Sequence, residues 1–247
     1  MSKKDELRRG TARRLFARDA RRSALFTFKE ISLRTLLVCA TALGAAGASA
    51  TETPAAFVPV KEALKAERWD AAVEAGQKAV RDAPGSSTAH RLLGQAFGQK
   101  AVRASLFSQI GLAKKCRAEF ETAVALAPGD PEARVDLVTY YANAPGFLGG
   151  SLDKARAQVR ILNGLDAARG ALMNGYVLAK EKRTAEAEAE YRHAVALSPG
   201  DAGFHVRFGH FLERAGRKDE ARASYREALR LDPALEGAKK DLERLGG

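Results

Sequence analysis

Cysteine is nearly absent from this chain of 247 residues, which holds only Cys39 and Cys116. Cys39 lies in an N-terminal apolar stretch, so Cys116 stands alone in the rest and neither an internal disulfide nor a cysteine metal cage is possible there. Tryptophan occurs once and aromatics make up 7% of the residues, so alanine and the aliphatics must fill the interior, a composition that favours helices. Long apolar runs are missing too. The longest, residues 36–48, spans about 13 residues, short of the roughly 20 a membrane-crossing helix needs. Chemistry-bearing motifs are equally scarce. His90, His193, His205 and His210 form no HExxH, His205 and His210 are five apart rather than four, and Gly149-Gly150 lacks the lysine of a phosphate loop. No GxSxG nucleophile elbow is present either. These absences predict a protein that is not an enzyme, with no metal, no cofactor and no catalytic residue. Cys116 is expected to be a buried small side chain.

The formal charge of +11 suggests nucleic acid until it is divided along the chain. Residues 1–50 carry 11 Lys and Arg against 4 Asp and Glu, leaving 30 against 26 for residues 51–247. So small an excess argues against the dominant electrostatic footprint of a nucleic-acid partner, which normally shows as a clustered basic face.

The basic stretch 1–34, the apolar run 36–48 and Ala48-Ser49-Ala50 together read as a secretory signal cleaved after Ala50. The basic region is long for such a signal, and a true start nearer Ile31 is the other reading of its length. The expected location is periplasmic or secreted, with no permanent membrane anchor; the alternative is an uncleaved signal holding the chain at the inner membrane.

What the chain has in quantity is a repeated pattern, clearest in Ala202 to Leu235. Phe204, Phe208, Phe211 and Leu212 fall at i, i+4, i+7 and i+8, one stripe of a helix. Gly216 ends that helix by accepting a left-handed conformation. Ala221, Tyr225, Ala228 and Leu229 repeat the spacing, and Pro233 stops the second helix. Small residues at Gly209, Ala221 and Ala228 sit where the two helices cross.

This pattern resembles the tetratricopeptide repeat, a helix–turn–helix unit of about 34 residues. Gly209, Ala221, Tyr225, Ala228 and Pro233 match its positions 8, 20, 24, 27 and 32, whereas its first-helix tryptophan and leucine are replaced by His205 and Phe208. Ala168 to Asp201 matches again through Gly175, Ala187, Tyr191, Ala194 and Pro199. Weaker units fill 131–167, 87–130 and 53–86; in the last, Gly76 stands where an aromatic is usual. Residues 236–245 read as a capping helix. The fold expected from 51–247 is an all-α, right-handed α-solenoid of about five helix pairs with that C-terminal cap. A single pair cannot recover the entropy of its own ordering, and stacked pairs share one core.

The resemblance implies a groove lined by first helices that holds a protein or peptide partner. Its candidate residues here are Arg91, Gln95, Gln99, Thr139, Asn143, Arg169, Tyr176, Lys180, His210 and Arg214. A known subset of the family clamps a C-terminal carboxylate with Lys and Asn at first-helix positions 5 and 9; this chain has Arg91 and Gln95 there and does not reproduce the clamp.

Two insertions interrupt the regularity at equivalent turns. One adds Leu106, Phe107 and Ile110; the other makes the loop Pro145, Gly146, Phe147, Leu148, Gly149, Gly150 before Ser151, a helix cap. The expectation is that Phe147 and Leu148 pack on Leu106 and Phe107 as one lobe, which either binds a partner or only covers a longer helix. The phrases ASLFSQIGLAKKC and APGFLGG look like elements of exported tetratricopeptide-repeat proteins of proteobacteria. The resulting reading is a non-catalytic exported scaffold, with cell-envelope assembly as its setting. The alternative is an accessory subunit guiding an exported polymer at a membrane machine.

Overall fold

Helices follow one another in pairs. The computed structural model describes residues 55–246, so the signal reading of 1–50 lies outside the described residues. A 3₁₀ turn, Ala55–Phe57, leads into α1 (Val58–Lys65) and α2 (Trp69–Asp82). Then come α3 (Ser87–Arg103) with α4 (Leu106–Leu126), and α5 (Pro131–Asn143) with α6 (Leu152–Leu165). The pairs α7 (Ala167–Lys180) with α8 (Thr184–Leu197) and α9 (Ala202–Arg214) with α10 (Lys218–Leu231) complete the stack, and α11 (Glu236–Arg244) covers its end. Each second helix packs against its own first helix and against the next pair's first helix. The first helices α1, α3, α5 and α7 also touch in succession, and no two second helices do so to the same extent. The stack therefore curves with its first helices inside. It is an all-α solenoid; no strand occurs among the described residues, and none of their helices is long and apolar enough to cross a membrane.

Local chemistry sets where each helix starts. Ser86, Asp130, Asp166 and Asp201 cap α3, α5, α7 and α9, their side-chain oxygens accepting backbone N–H groups at 2.9–3.2 Å. The second helices α2, α8 and α10 have no such cap. They begin from a tight turn in which Glu67, Lys182 and Gly216 take φ of 55°, 63° and 80°. In each of these turns the next residue donates back to the first helix: Arg68 to Ala63, Arg183 to Leu178 and Arg217 to Leu212, all near 2.9–3.0 Å. Gly216 thus ends α9 in the left-handed conformation. Two side-chain-bearing residues occupy the same slot at a cost of about 1 kcal/mol each.

Complementary sizes hold each pair together. A Cβ on Gly94 would lie 2.6 Å from the Phe120 ring and one on Gly209 2.5 Å from the Tyr225 ring; Gly175 faces Tyr191 in the same way. Where the aromatic is missing the sizes change: Val60 and Gly76 occupy these slots in the first pair, and Val138 and Val159 in the third, with both valines and Val60 buried. Ala72, Ala79, Ala123, Ala155, Ala187, Ala194, Ala221 and Ala228 are all at most 2% exposed at the crossings. Cys116 fills the small-residue slot of α4, buried beside Gly98.

A polar staple joins successive pairs. His90 Nε2 lies 3.1 Å from the Pro84 carbonyl, His205 Nε2 3.1 Å from that of Pro199, and Arg134 Nε donates to that of Pro128 at 3.0 Å. Each residue sits fourth in its repeat and reaches the proline that closes the preceding one. The carbonyl before the next cap would otherwise lack a donor.

The insertions are absorbed differently from the expected single lobe. Ten extra residues lengthen α3 and α4, which run for 17 and 21 residues where α7 and α8 run for 14 each. The 144–151 loop folds back on α5: Ser151 N–H donates to the Tyr141 carbonyl, Gly150 N–H to that of Pro145, and Leu148 turns inward to 6% exposure. The Leu148 carbonyl accepts from Tyr140 Oη at 2.9 Å and Arg117 Nη1 at 3.1 Å. That docks the loop ten residues along α4 from Phe107. Phe107 stays 88% exposed and Phe147 60%, so the packing expected between them is not made. Tyr140 and Arg117 pull Leu148 to themselves before it can reach the start of α4.

Candidate functional site

The inner face is built from α3, α5, α7 and α9, and its centre is ionic. Asp136 on α5 accepts a hydrogen bond from Gln95 Nε2 at 2.8 Å and lies 3.5 Å from Arg91 Nη1. Arg91 also reaches Glu132 at 3.6 Å, and Glu132 accepts from Arg169 Nε at 2.9 Å. Arg169 in turn pairs with Asp166, the cap of its own helix, so one chain of charges runs across three first helices. Burial raises the Asp136 carboxyl to a pKa of about 6, against the pull of Arg91 and the Gln95 hydrogen bond, which lower it. Arg207 on α9 is close enough to add to that lowering.

Beyond this cluster the candidate residues separate into those that are committed and those that face outward. Thr139 is 3% exposed and its hydroxyl donates to the Val135 carbonyl, so it belongs to the core and presents nothing to a partner. Tyr176 is 5% exposed; its hydroxyl donates to Asn143 Oδ1 at 2.8 Å, and Lys180 lies over its ring. Asn143 also donates to the Thr139 carbonyl. His210 Nε2 is 2.6 Å from Asp241 Oδ2, which ties α9 to the capping helix α11. The Arg91 Nε and Gln99 Nε2 atoms are buried donors with no acceptor in hydrogen-bonding range among the described residues. Arg214 is exposed.

Two residues that repeat positions alone do not single out complete the face. Asp136 and Arg207 both stand sixth in their first helices, a slot that Leu92 and Met173 fill as fully buried side chains elsewhere. A charge in a packing slot is the signal that could have found them. Arg207 and Arg214 lie seven apart, hence on one side of α9, and neither has a carboxylate within ion-pair distance among the described residues. The inner face thus has a neutralised centre and a cationic margin on α9. No group of three or more metal-binding side chains occurs among the described residues.

A curved stack of capped helix pairs with glycine–aromatic crossings is an α-solenoid of the repeat class. Two of its segments match a known family: residues 60–102 and 172–236 fit the sequence profile of the tetratricopeptide repeat. Among solved structures it is similar to TTC0263, a thermophilic tetratricopeptide-repeat protein of Thermus thermophilus, at 21% identity and a TM-score of 0.58. That likeness spans 77% of this chain and 98% of the other. Weaker likenesses are to MamA, with 18% identity, TM-score 0.41 and 72% and 90% of the two chains covered. YrrB, described as a tetratricopeptide-repeat protein with an unusual peptide-binding site, shows 17% identity and TM-score 0.40 over 73% and 88%. At these identities the likeness concerns the fold. No curated protein matches the chain.

Proposed function

We propose that the chain is a non-catalytic scaffold that holds a protein or peptide segment along its inner face, with acidic side chains of that segment meeting Arg207 and Arg214. The observation that carries this reading is the contrast within the face. Arg91 and Arg169 each pair directly with carboxylates, while Arg214 has none within ion-pair distance among the described residues and Arg207 reaches Asp136 only at longer range. Unmatched arginines on a concave surface suit a partner that brings its own carboxylates, since Arg forms bidentate pairs with them. The basic leader and the A-x-A site support an exported protein that matures at Thr51 and works in the cell envelope.

The test is stoichiometric retention of one envelope protein by the full chain, compared with the R207E/R214E double variant and with R226E on the exposed side of α10. The double variant should lose the protein and R226E should keep it. Equal retention by all three would rule out the inner face as the binding surface. N-terminal sequencing of the protein purified from cells should begin at Thr51; an intact N-terminus would overturn the export reading.

A further inference from the structure

The two insertions leave apolar side chains exposed to solvent in a cationic setting. Phe107 is 88% exposed, Leu106 51% and Phe147 60%; Leu106 and Phe107 open α4 and Phe147 lies in the loop before α6, so all three mark the junction between the two helices of adjacent pairs. The loop carrying Phe147 docks on α4 through Arg117, about 15 Å along the helix from Phe107, so both stand on one edge of the stack. Carboxylates near this edge are already matched: Asp70 with Lys100, Glu67 with Arg103, Glu121 with Arg117 and Asp153 with Arg156. Lys114 and Lys115 on α4 and Lys154 on α6 are exposed and have no carboxylate within ion-pair distance among the described residues. Lys115 and Lys154 lie 5.5 Å from the Phe97 and Tyr141 ring centroids, contacts that leave their charges uncancelled.

The size of the patch helps identify its occupant. At about 200 Å² for a whole aromatic side chain, the three residues expose roughly 400 Å². A stable protein–protein interface needs about 800 Å² from each partner. Exposed apolar side chains on segments that also carry lysines without a carboxylate partner need far less area to hold at a bilayer surface, where rings settle at headgroup depth and lysines meet anionic lipids. We propose that Leu106, Phe107 and Phe147, with Lys114, Lys115 and Lys154, seat this edge of the solenoid on an anionic lipid surface. This seating is peripheral and independent of what the inner face holds.

The probe is tryptophan fluorescence of the full chain in a W69F background, carrying F107W or F147W, with vesicles of brominated phosphatidylglycerol or brominated phosphatidylcholine. Both sites are exposed, so helical circular dichroism should be unchanged. The proposal expects bromine quenching of both variants by phosphatidylglycerol vesicles. It also expects affinity lower by tenfold or more on phosphatidylcholine, and a similar loss in K114E/K115E/K154E. Unquenched emission while the chain sediments with vesicles would show that another segment holds it, and would overturn the proposal. Equal quenching by both lipids would do the same. So would a photo-crosslinker at position 107 that captures a protein, whether a second copy or another chain, in the absence of quenching.

Discussion

Replacing Asp136 with asparagine should make the protein more stable at neutral pH. The carboxyl is 15% exposed among Arg91, Gln95 and Glu132, and burial lifts its pKa from 3.8 to about 6. A folded-state pKa above the unfolded value means that the native state holds a proton the unfolded chain has released. Stability contributed at this site therefore falls as pH rises from about 4 to about 6, then levels off. A displacement of about two units corresponds to an upper bound near 3 kcal/mol at about 1.4 kcal/mol per unit. Asparagine mimics the neutral acid and its Oδ1 can still accept the Gln95 hydrogen bond, while the charge facing Arg91 is lost, so a gain of about 1–3 kcal/mol is expected at pH 7. Urea unfolding of both proteins at pH 4, 5, 6 and 7 isolates the site, because other titrations cancel in the difference. That difference should be small at pH 4 and grow to its full size above pH 6. A difference independent of pH, or one that shrinks with rising pH, would refute the burial argument.

Other perturbations test the packing and the turns by thermal or urea unfolding. G209A would place a methyl 2.5 Å from the Tyr225 ring and should cost about 1–3 kcal/mol, whereas G111A, with open space around it, should be neutral or stabilising. K182G should relieve the left-handed strain at φ 63° and raise stability by about 0.5–1 kcal/mol. R134M should cost about 2 kcal/mol or more, since it strips the Pro128 carbonyl of its donors and leaves Gln158 without its partner.

The helix pairs are legible in the sequence because their chemistry is local and periodic. Gly209 and Tyr225 or Gly175 and Tyr191 announce a crossing wherever they recur, and Gly216 announces its turn. What the sequence hides depends on distance. His205 and His90 stand in a packing slot, and only the stacked neighbour reveals the proline carbonyl each one meets. Asp136 is hidden because its slot usually holds an apolar side chain. Thr139 and Tyr176 belong to the groove by position, yet the curvature that buries them comes from the whole stack. The single lobe fails because Tyr140 and Arg117 both donate to the Leu148 carbonyl and hold the loop there, a contact that spacing along the chain does not express.

Whether a partner lies along the inner face against α9 is open to direct test by photo-crosslinking amino acids placed in cells at Gln95 and Arg214, with Arg160 and Arg226 as outer-face controls. A scaffold that binds through this face should give one protein adduct from the two inner positions, lost when R207E accompanies the probe, and none from the outer pair. Adducts of equal yield from the outer positions, or none from the inner ones, would contradict it.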